Sequence, residues 1–225
     1  MPTLLALVVS YLLGSIPTSD IAGRMRGVDL RSAGSGNPGF TNALRVLGPR
    51  TAVPVLIVDV AKGAAAVLLV ADMLGAGSAL GPIGVRLASG LAAVAGHMWP
   101  VFARFRGGKG VATACGVFLA MAPFAAGASV VVWIAVVAAT RYVSVASMAA
   151  ALFLPLAIWA ESRVLGGRPS TALLVAGVAV AAAVVLRHRS NIRRLMDGTE
   201  NRFGGGAGSS RGAGSDGTSG GAAVE

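Results

Sequence analysis

Two short segments carry the residues best suited to chemistry: Ser35-Gly36-Asn37-Pro38-Gly39-Phe40-Thr41-Asn42 and Phe105-Arg106-Gly107-Gly108-Lys109-Gly110. The first sets amide and hydroxyl donors among glycines (Gly34, Gly36, Gly39) that let the backbone turn and come close to a ligand. The second repeats the glycines with cations. Donors and cations on flexible turns suit an oxygen-rich anion, so together they point to phosphate handling. Arg45 lies four residues beyond Thr41 and shares its face if a helix begins there. Thr41 or Asn42 would then cap that helix and aim its first amides at an anion. The plain alternative is an ordinary glycine-rich turn, which would not need so many donors.

Lys109 does not belong to a P-loop. That motif needs a glycine where Ala103 stands and a Ser or Thr where Gly110 follows the lysine. Asp59 and Lys62 fall three residues apart within an apolar run, close enough to pair on one helical face. Ionisable groups at such a depth mark function or a structural ion pair, and Lys62 beside Gly63 is a candidate for the floor of a site. His97, three residues before Pro100, reads as a packed residue near a helix end. His188 and Asn191 share a face, with Arg194 and Glu200 just beyond. Arg141, Ser144 and Ser147 recur every three residues, a stripe that taken alone reads as helix packing. Two histidines, one cysteine and few carboxylates are poor material for a metal site, and none is expected. The lone Cys115 reads as a small buried hydrophobe.

These groups must be positioned by elements built for lipid. Of 225 residues, 55% are hydrophobic and 12% charged, with a mean hydropathy of +0.74. That composition argues against a soluble domain and for an all-α, polytopic membrane protein. Seven candidate spans follow: 4–16, 51–74, 84–101, 111–124, 127–140, 143–160 and 172–186. A single helix over 111–140 would be about 45 Å long at ~1.5 Å per residue, against a core of roughly 30 Å, so a break at Pro123 and Gly127 is expected. With the N-terminus outside and seven crossings, 15 of the 19 Lys and Arg residues fall on the inner side. The C-terminus is then cytoplasmic, and the polar groups of the 17–50 loop, the 102–110 loop, the 141–147 turn and the segment after Leu186 meet on one inner face. The net charge of +10 is explained by inner loops facing anionic lipid rather than by nucleic acid. Met1 to Ser15 has no basic residue and reads as a retained first span. Residues 1–203 form the membrane domain, and the Gly- and Ser-rich segment 204–225 is expected to be a disordered tail.

Six pieces in this order resemble one family. They are Ser35-Gly36-Asn37-x-Gly39-x-Thr41-Asn42, Asp59-x-x-Lys62-Gly63, His97-x-x-Pro100, Phe105-x-Gly107-Gly108-Lys109-Gly110-Val111-Ala112-Thr113, Arg141-x-x-Ser144-x-x-Ser147 and His188-x-x-Asn191-Ile192-x-Arg194-Leu195-x-x-Gly198-x-Glu200. The chain is similar, from Leu13 through Glu200, to the bacterial membrane glycerol-3-phosphate acyltransferases that use acyl phosphate. Phe40 departs from the pattern, standing where the family usually has alanine. The resemblance implies seven helices in the bacterial inner membrane and a cytosolic active site. It implies transfer of a fatty acyl group to sn-glycerol 3-phosphate, giving lysophosphatidic acid and inorganic phosphate for phospholipid synthesis. No cofactor, acyl-carrier protein or coenzyme A is implied. Catalytic roles fall on Ser35, Lys109, His188 and Asn191. Substrate binding falls on Gly36, Asn37, Gly39, Thr41, Asn42, Arg45, Gly107, Gly108, Gly110, Thr113, Arg141, Ser144, Ser147, Arg194 and Glu200. A mixed anhydride is already activated, so positioning and charge stabilisation can supply much of the rate. No His-x-x-x-x-Asp acyltransferase signature is present, since Phe102 and Arg193 stand five residues after the two histidines. The other reading, a transporter for a small organophosphate, would place Asp59 and Lys62 on a translocation path.

Overall fold

The computed structural model describes residues 2–168 and 170–204. Most of the expected tail therefore lies outside the described residues. Among the described residues every regular element is helical. In chain order these are α1 Pro2–Gly14, α2 Thr18–Met25, α3 Phe40–Leu47, α4 Pro49–Ala65, α5 Ala71–Leu74, α6 Gly81–Met98, α7 Val111–Met121, α8 Pro123–Thr140, α9 Val143–Val164, α10 Thr171–Arg187 and α11 Arg189–Met196. A π-helical turn, Ala66–Val70, joins α4 to α5.

Each of the seven segments expected to span the membrane is largely helical, with Trp99, Pro100 and Ala122 among the exceptions. Four stretches are long and apolar enough to cross a bilayer: Pro2–Met25, Pro49–Leu74, Pro123–Thr140 and Val143–Val164. The pair Thr171–Arg187 and Arg189–Met196, bent by 53°, reaches the same length and apolarity only when its two helices are taken together. The expected break between the fourth and fifth segments falls at Ala122 alone. Pro123 starts α8, where its missing N–H is harmless, and Gly127 lies inside that helix without interrupting it.

The main core runs between α6, α7, α9 and α10 through Val94, Met98, Phe118, Leu154, Ile158 and Val184. Close backbone approach fixes α4 against α7. A methyl group on Gly63 would collide with the Thr113 carbonyl, and one on Gly116 with that of Val60. Such small-residue seams let helices pack tightly where lipid supplies no hydrophobic driving force between them. This seam sets the distance between Asp59 and Lys62 on α4 and the loop that leads into α7.

That loop is shaped by three left-handed residues. Arg104 and Phe105 have φ of 53° and 59°, and Gly110 has φ of 80°. The chain thus turns back after Val101–Ala103, and the Gly108 amide donates to the His97 carbonyl at 3.1 Å.

Candidate active site

A cavity of about 360 Å³ extends between α3, α4, α7, α8, α9 and α10. Its polar end gathers Ser35, Asn37, Thr41, Arg45, Lys109, Ser144, His188, Asn191 and Glu200; its other end is walled by Phe118, Val130, Trp133, Leu154 and Val180. The volume falls in the usual range for a small-molecule site.

Glu200 organises the polar end. Its Oε1 accepts from Asn191 Nδ2 at 2.7 Å and from Ser144 Oγ at 2.9 Å, and its Oε2 accepts from Arg194 Nε at 2.7 Å. With Nδ2 committed to Glu200, the Asn191 amide oxygen is left to accept from Lys109 Nζ. Partial burial opposes ionisation of Glu200, but the hydrogen bonds from Asn191, Arg194 and Ser144 outweigh it and hold the carboxyl below its usual range. The Lys109 ammonium is pushed down to about 8. Burial is the main cause; Glu200 opposes it, and Arg194, Arg187 and Arg45 reinforce it.

His188 ends α10 and is buried, with Nδ1 2.7 Å from the Val184 carbonyl. A carbonyl only accepts, so Nδ1 carries the hydrogen and the neutral ring keeps Nε2 as a free acceptor. Beside it, Arg187 holds the glycine turn from outside: Nη2 donates to the Gly107 and Gly108 carbonyls at 2.7 and 2.9 Å. Its guanidinium also lies over the Trp99 ring, 5.8 Å from the centroid. In the sequence Arg187 is indistinguishable from the arginines that follow it, Arg189, Arg193 and Arg194.

Asp59 forms a second polar centre in the cavity wall. Its Oδ1 meets Lys62 Nζ at 2.9 Å and Thr18 Oγ1 at 3.1 Å, and lies 3.6 Å from His97 Nδ1.

Comparison with known proteins places this arrangement. The profile of the family described as "Glycerol-3-phosphate acyltransferase" matches residues 4–198. The chain belongs to that family. A "Glycerol-3-phosphate acyltransferase" of Chlorobaculum parvum is 44% identical, covering 90% of this chain and 97% of that one. Another, of Desulforudis audaxviator, is 45% identical over 90% of this chain and 96% of its own. Among solved structures, that of PlsY (YgiH), an integral membrane glycerol 3-phosphate acyltransferase in its glycerol 3-phosphate form, superposes with a TM-score of 0.80 at 40% identity. It covers 91% of this chain and 96% of the other. The lysophosphatidic acid form of the same protein gives a TM-score of 0.78 at 39% identity, with the same coverage.

In this acyltransferase the residues expected from the sequence divide into three groups. Ser35, Asn37, Thr41, Arg45, Lys109, Gly110, Ser144, Ser147, His188, Asn191 and Glu200 line the cavity. Phe40 lines it too, so the ring that departs from the family pattern forms part of the wall. Thr41 and Arg45 share a face of α3 as their spacing predicts.

A second group mainly supports the site, and of its members only Asn42 borders the cavity. Gly39, rather than Thr41 or Asn42, is the N-cap of α3, with extended backbone and no side-chain cap. Asn42 touches the cavity but is committed elsewhere: its Oδ1 accepts from the Ser35 amide at 2.8 Å, and its Nδ2 donates to the Leu30 and Ala33 carbonyls at 3.0 Å. It clasps the loop that presents Ser35. Gly36 turns the same loop with φ of 69°, and Gly107 and Gly108 form the turn before Lys109. Arg194 neutralises Glu200 from the rim.

The third group is displaced from the expected places. Thr113 is fully buried, and its hydroxyl has no hydrogen-bond partner among the described residues. Lys62 does not floor the cavity, because its ammonium turns to Asp59 and to the Ile16 carbonyl at 3.2 Å. Arg141 is not on the helix of Ser144 and Ser147: it ends α8 in a left-handed conformation, φ 61°, which breaks the stripe. Its Nε instead donates to the Phe203 carbonyl at 3.1 Å, and its carbonyl accepts from the Phe203 amide at 2.6 Å.

Proposed function

We propose that this protein transfers a fatty acyl group from an acyl phosphate to the 1-hydroxyl of sn-glycerol 3-phosphate. The products are lysophosphatidic acid and inorganic phosphate. The observation that carries this reading is the cavity itself, in which a mouth of cations and amide donors continues into an apolar limb. Two phosphates suit the first part and an alkyl chain the second. A small organophosphate in transit has no use for the apolar limb, which weighs against the transporter reading.

Ser35, Asn37, Thr41 and Lys109 hold the donor phosphate. Arg45, Ser144, His188 and Asn191 orient glycerol 3-phosphate, and Glu200 keeps Asn191 and Ser144 in place. The acceptor oxygen attacks the acyl carbon, the C–O bond to phosphate breaks, and the hydroxyl proton goes to His188 Nε2 or directly to the departing phosphate. Either route balances without another reactant, so neither acyl-carrier protein nor coenzyme A is needed. The side chains mainly position the reactants and stabilise developing charge, as suits an activated anhydride. The chain crosses the bacterial inner membrane seven times, with the N-terminus outside and the site facing the cytoplasm. The gathering of Arg26, Arg31, Arg104, Arg106 and Lys109 in the loops, with Arg24 in the last turn of α2, supports that orientation.

Phosphate release from palmitoyl phosphate by protein purified in detergent, with and without glycerol 3-phosphate, tests the reading. Acceptor-dependent release with lysophosphatidic acid formed is expected, falling roughly 100-fold in Lys109→Ala. Folded protein that releases no phosphate, or releases it equally without acceptor, overturns it.

A further inference from the structure

Asp59 and Lys62 are only 2% and 3% exposed, inside a helix otherwise built for lipid. Exchanging a buried ion pair for apolar groups of similar volume is often neutral or stabilising, so bundle stability does not explain its presence. What the cluster touches suggests another role. Lys62 Nζ donates to the Ile16 carbonyl, in the connection between α1 and α2, and Thr18 at the start of α2 donates to Asp59. The α1–α2 corner is thereby tied to α4. On the other side, His97 Nδ1 faces Asp59. A methyl group on Gly108 would strike His97 Nε2, and the His97 carbonyl accepts from the Gly108 amide. The imidazole is thus wedged between the ion pair and the glycine turn. Asp59 and His97 also form the partition between the main cavity and a second space of about 10 Å³, bounded in part by Thr18, Gly107 and Gly108.

We propose that Asp59, Lys62 and His97 are positioning residues that act through Gly107 and Gly108 to set where the Lys109 ammonium meets the donor phosphate. Arg187 grips the carbonyls of the same two glycines. The turn is therefore held by a buried wedge and a clamp. A lysine on a glycine turn has many accessible positions; this pair of supports leaves it one, at Asn191. The idea rests on the acyl-phosphate reading above and goes beyond it by naming what aims Lys109.

The test is a steady-state series in detergent with palmitoyl phosphate and glycerol 3-phosphate varied independently. His97→Ala is expected to raise KM for the donor about tenfold while KM for the acceptor stays within twofold. His97→Asn, which keeps a donor near the Nδ1 position, is expected to recover at least half of that loss. A merely structural role would lower kcat in proportion to the folded fraction and move neither KM. Should His97→Ala fail to fold, Gly108→Ala tests the same link from the turn, with the ion pair intact and the same donor-selective rise expected. Acetylation of Lys109, followed by mass spectrometry against a reference peptide, reads the link without turnover. A change of threefold or more in the variant is expected. Unchanged donor KM with unchanged Lys109 labelling overturns the proposal, as does an equal rise in both KM values. Wild-type protein that forms no lysophosphatidic acid defeats the acyl-phosphate reading instead, and the labelling result then judges the positioning link alone.

Discussion

Asp59 and Glu200 have side chains almost equally hidden from solvent, 3% and 6% exposed, yet they keep opposite company. Asp59 is answered by a full charge as deeply buried as itself, three residues away on one helix. Glu200 is answered by a rim arginine that is 30% exposed and by two neutral donors, Asn191 and Ser144, brought from other elements. The first carboxylate is spent on neutralising a neighbour. The second uses its charge to orient neutral groups, which leaves the Asn191 oxygen aimed at Lys109. Burial alone therefore does not tell a scaffold charge from a site charge; the identity and mobility of the partners do.

The sharpest way to break the comparison is to remove each carboxylate in turn. Asp59→Ala strands the Lys62 ammonium in an apolar interior, and a loss of roughly 3–5 kcal/mol is expected, read as a large fall in the thermal midpoint in detergent. Asp59→Leu combined with Lys62→Met should recover much of that stability without restoring donor affinity, because the wedge against His97 is gone. Glu200→Gln should show the reverse pattern. Turnover is expected to fall about 10- to 100-fold, the worth of charge-assisted hydrogen bonds of roughly 1.5–3 kcal/mol, while the midpoint moves little.

A smaller effect sharpens the electrostatic side. Lys109 titrates at about 8, so its charge is complete below that pH and lost above it. Donor KM should be level on the acid side and rise as pH passes 8. Glu200 opposes the depression of Lys109, so in Glu200→Gln the rise should begin at lower pH. The smallest effect is expected at Arg141. It binds the backbone at Phe203 rather than the cavity, and Arg141→Ala should change turnover less than about threefold in the phosphate-release assay.

Local spacing was a good guide where one helix carries both partners. The Asp59–Lys62 contact and the shared face of Thr41 and Arg45 follow from a 3.6-residue period, whereas His188 and Asn191 meet at the cavity across the 53° bend between α10 and α11 rather than on one helix. It failed where the helix it assumed was absent. Arg141, Ser144 and Ser147 make a stripe only if one helix runs through them, and the left-handed turn at Arg141 prevents that. Asn42 has the right side chain for a cap, but it lies inside α3 and is used up by the carbonyls of Leu30 and Ala33. Thr113 sits one turn past Lys109, yet the seam with Gly63 buries it away from the cavity. Arg187 gave no sign in the sequence, since its partners are backbone carbonyls 79 and 80 residues away.

Composition and apolar periodicity by themselves determined that this chain is helical and made for lipid. The order of its polar motifs pointed to phosphate and to the acyltransferase family. These properties are local: they depend on which side chains stand within a turn or two of one another, and water and bilayer sort them by polarity. Tertiary structure alone decided that Glu200 would orient Asn191, that Arg187 would clamp the glycine turn, and that His97 would join a buried ion pair to it. Those contacts depend on helix separations set by backbone packing at Gly63 and Gly116 and on turns with positive φ. Neither is encoded in the spacing of the residues that finally meet.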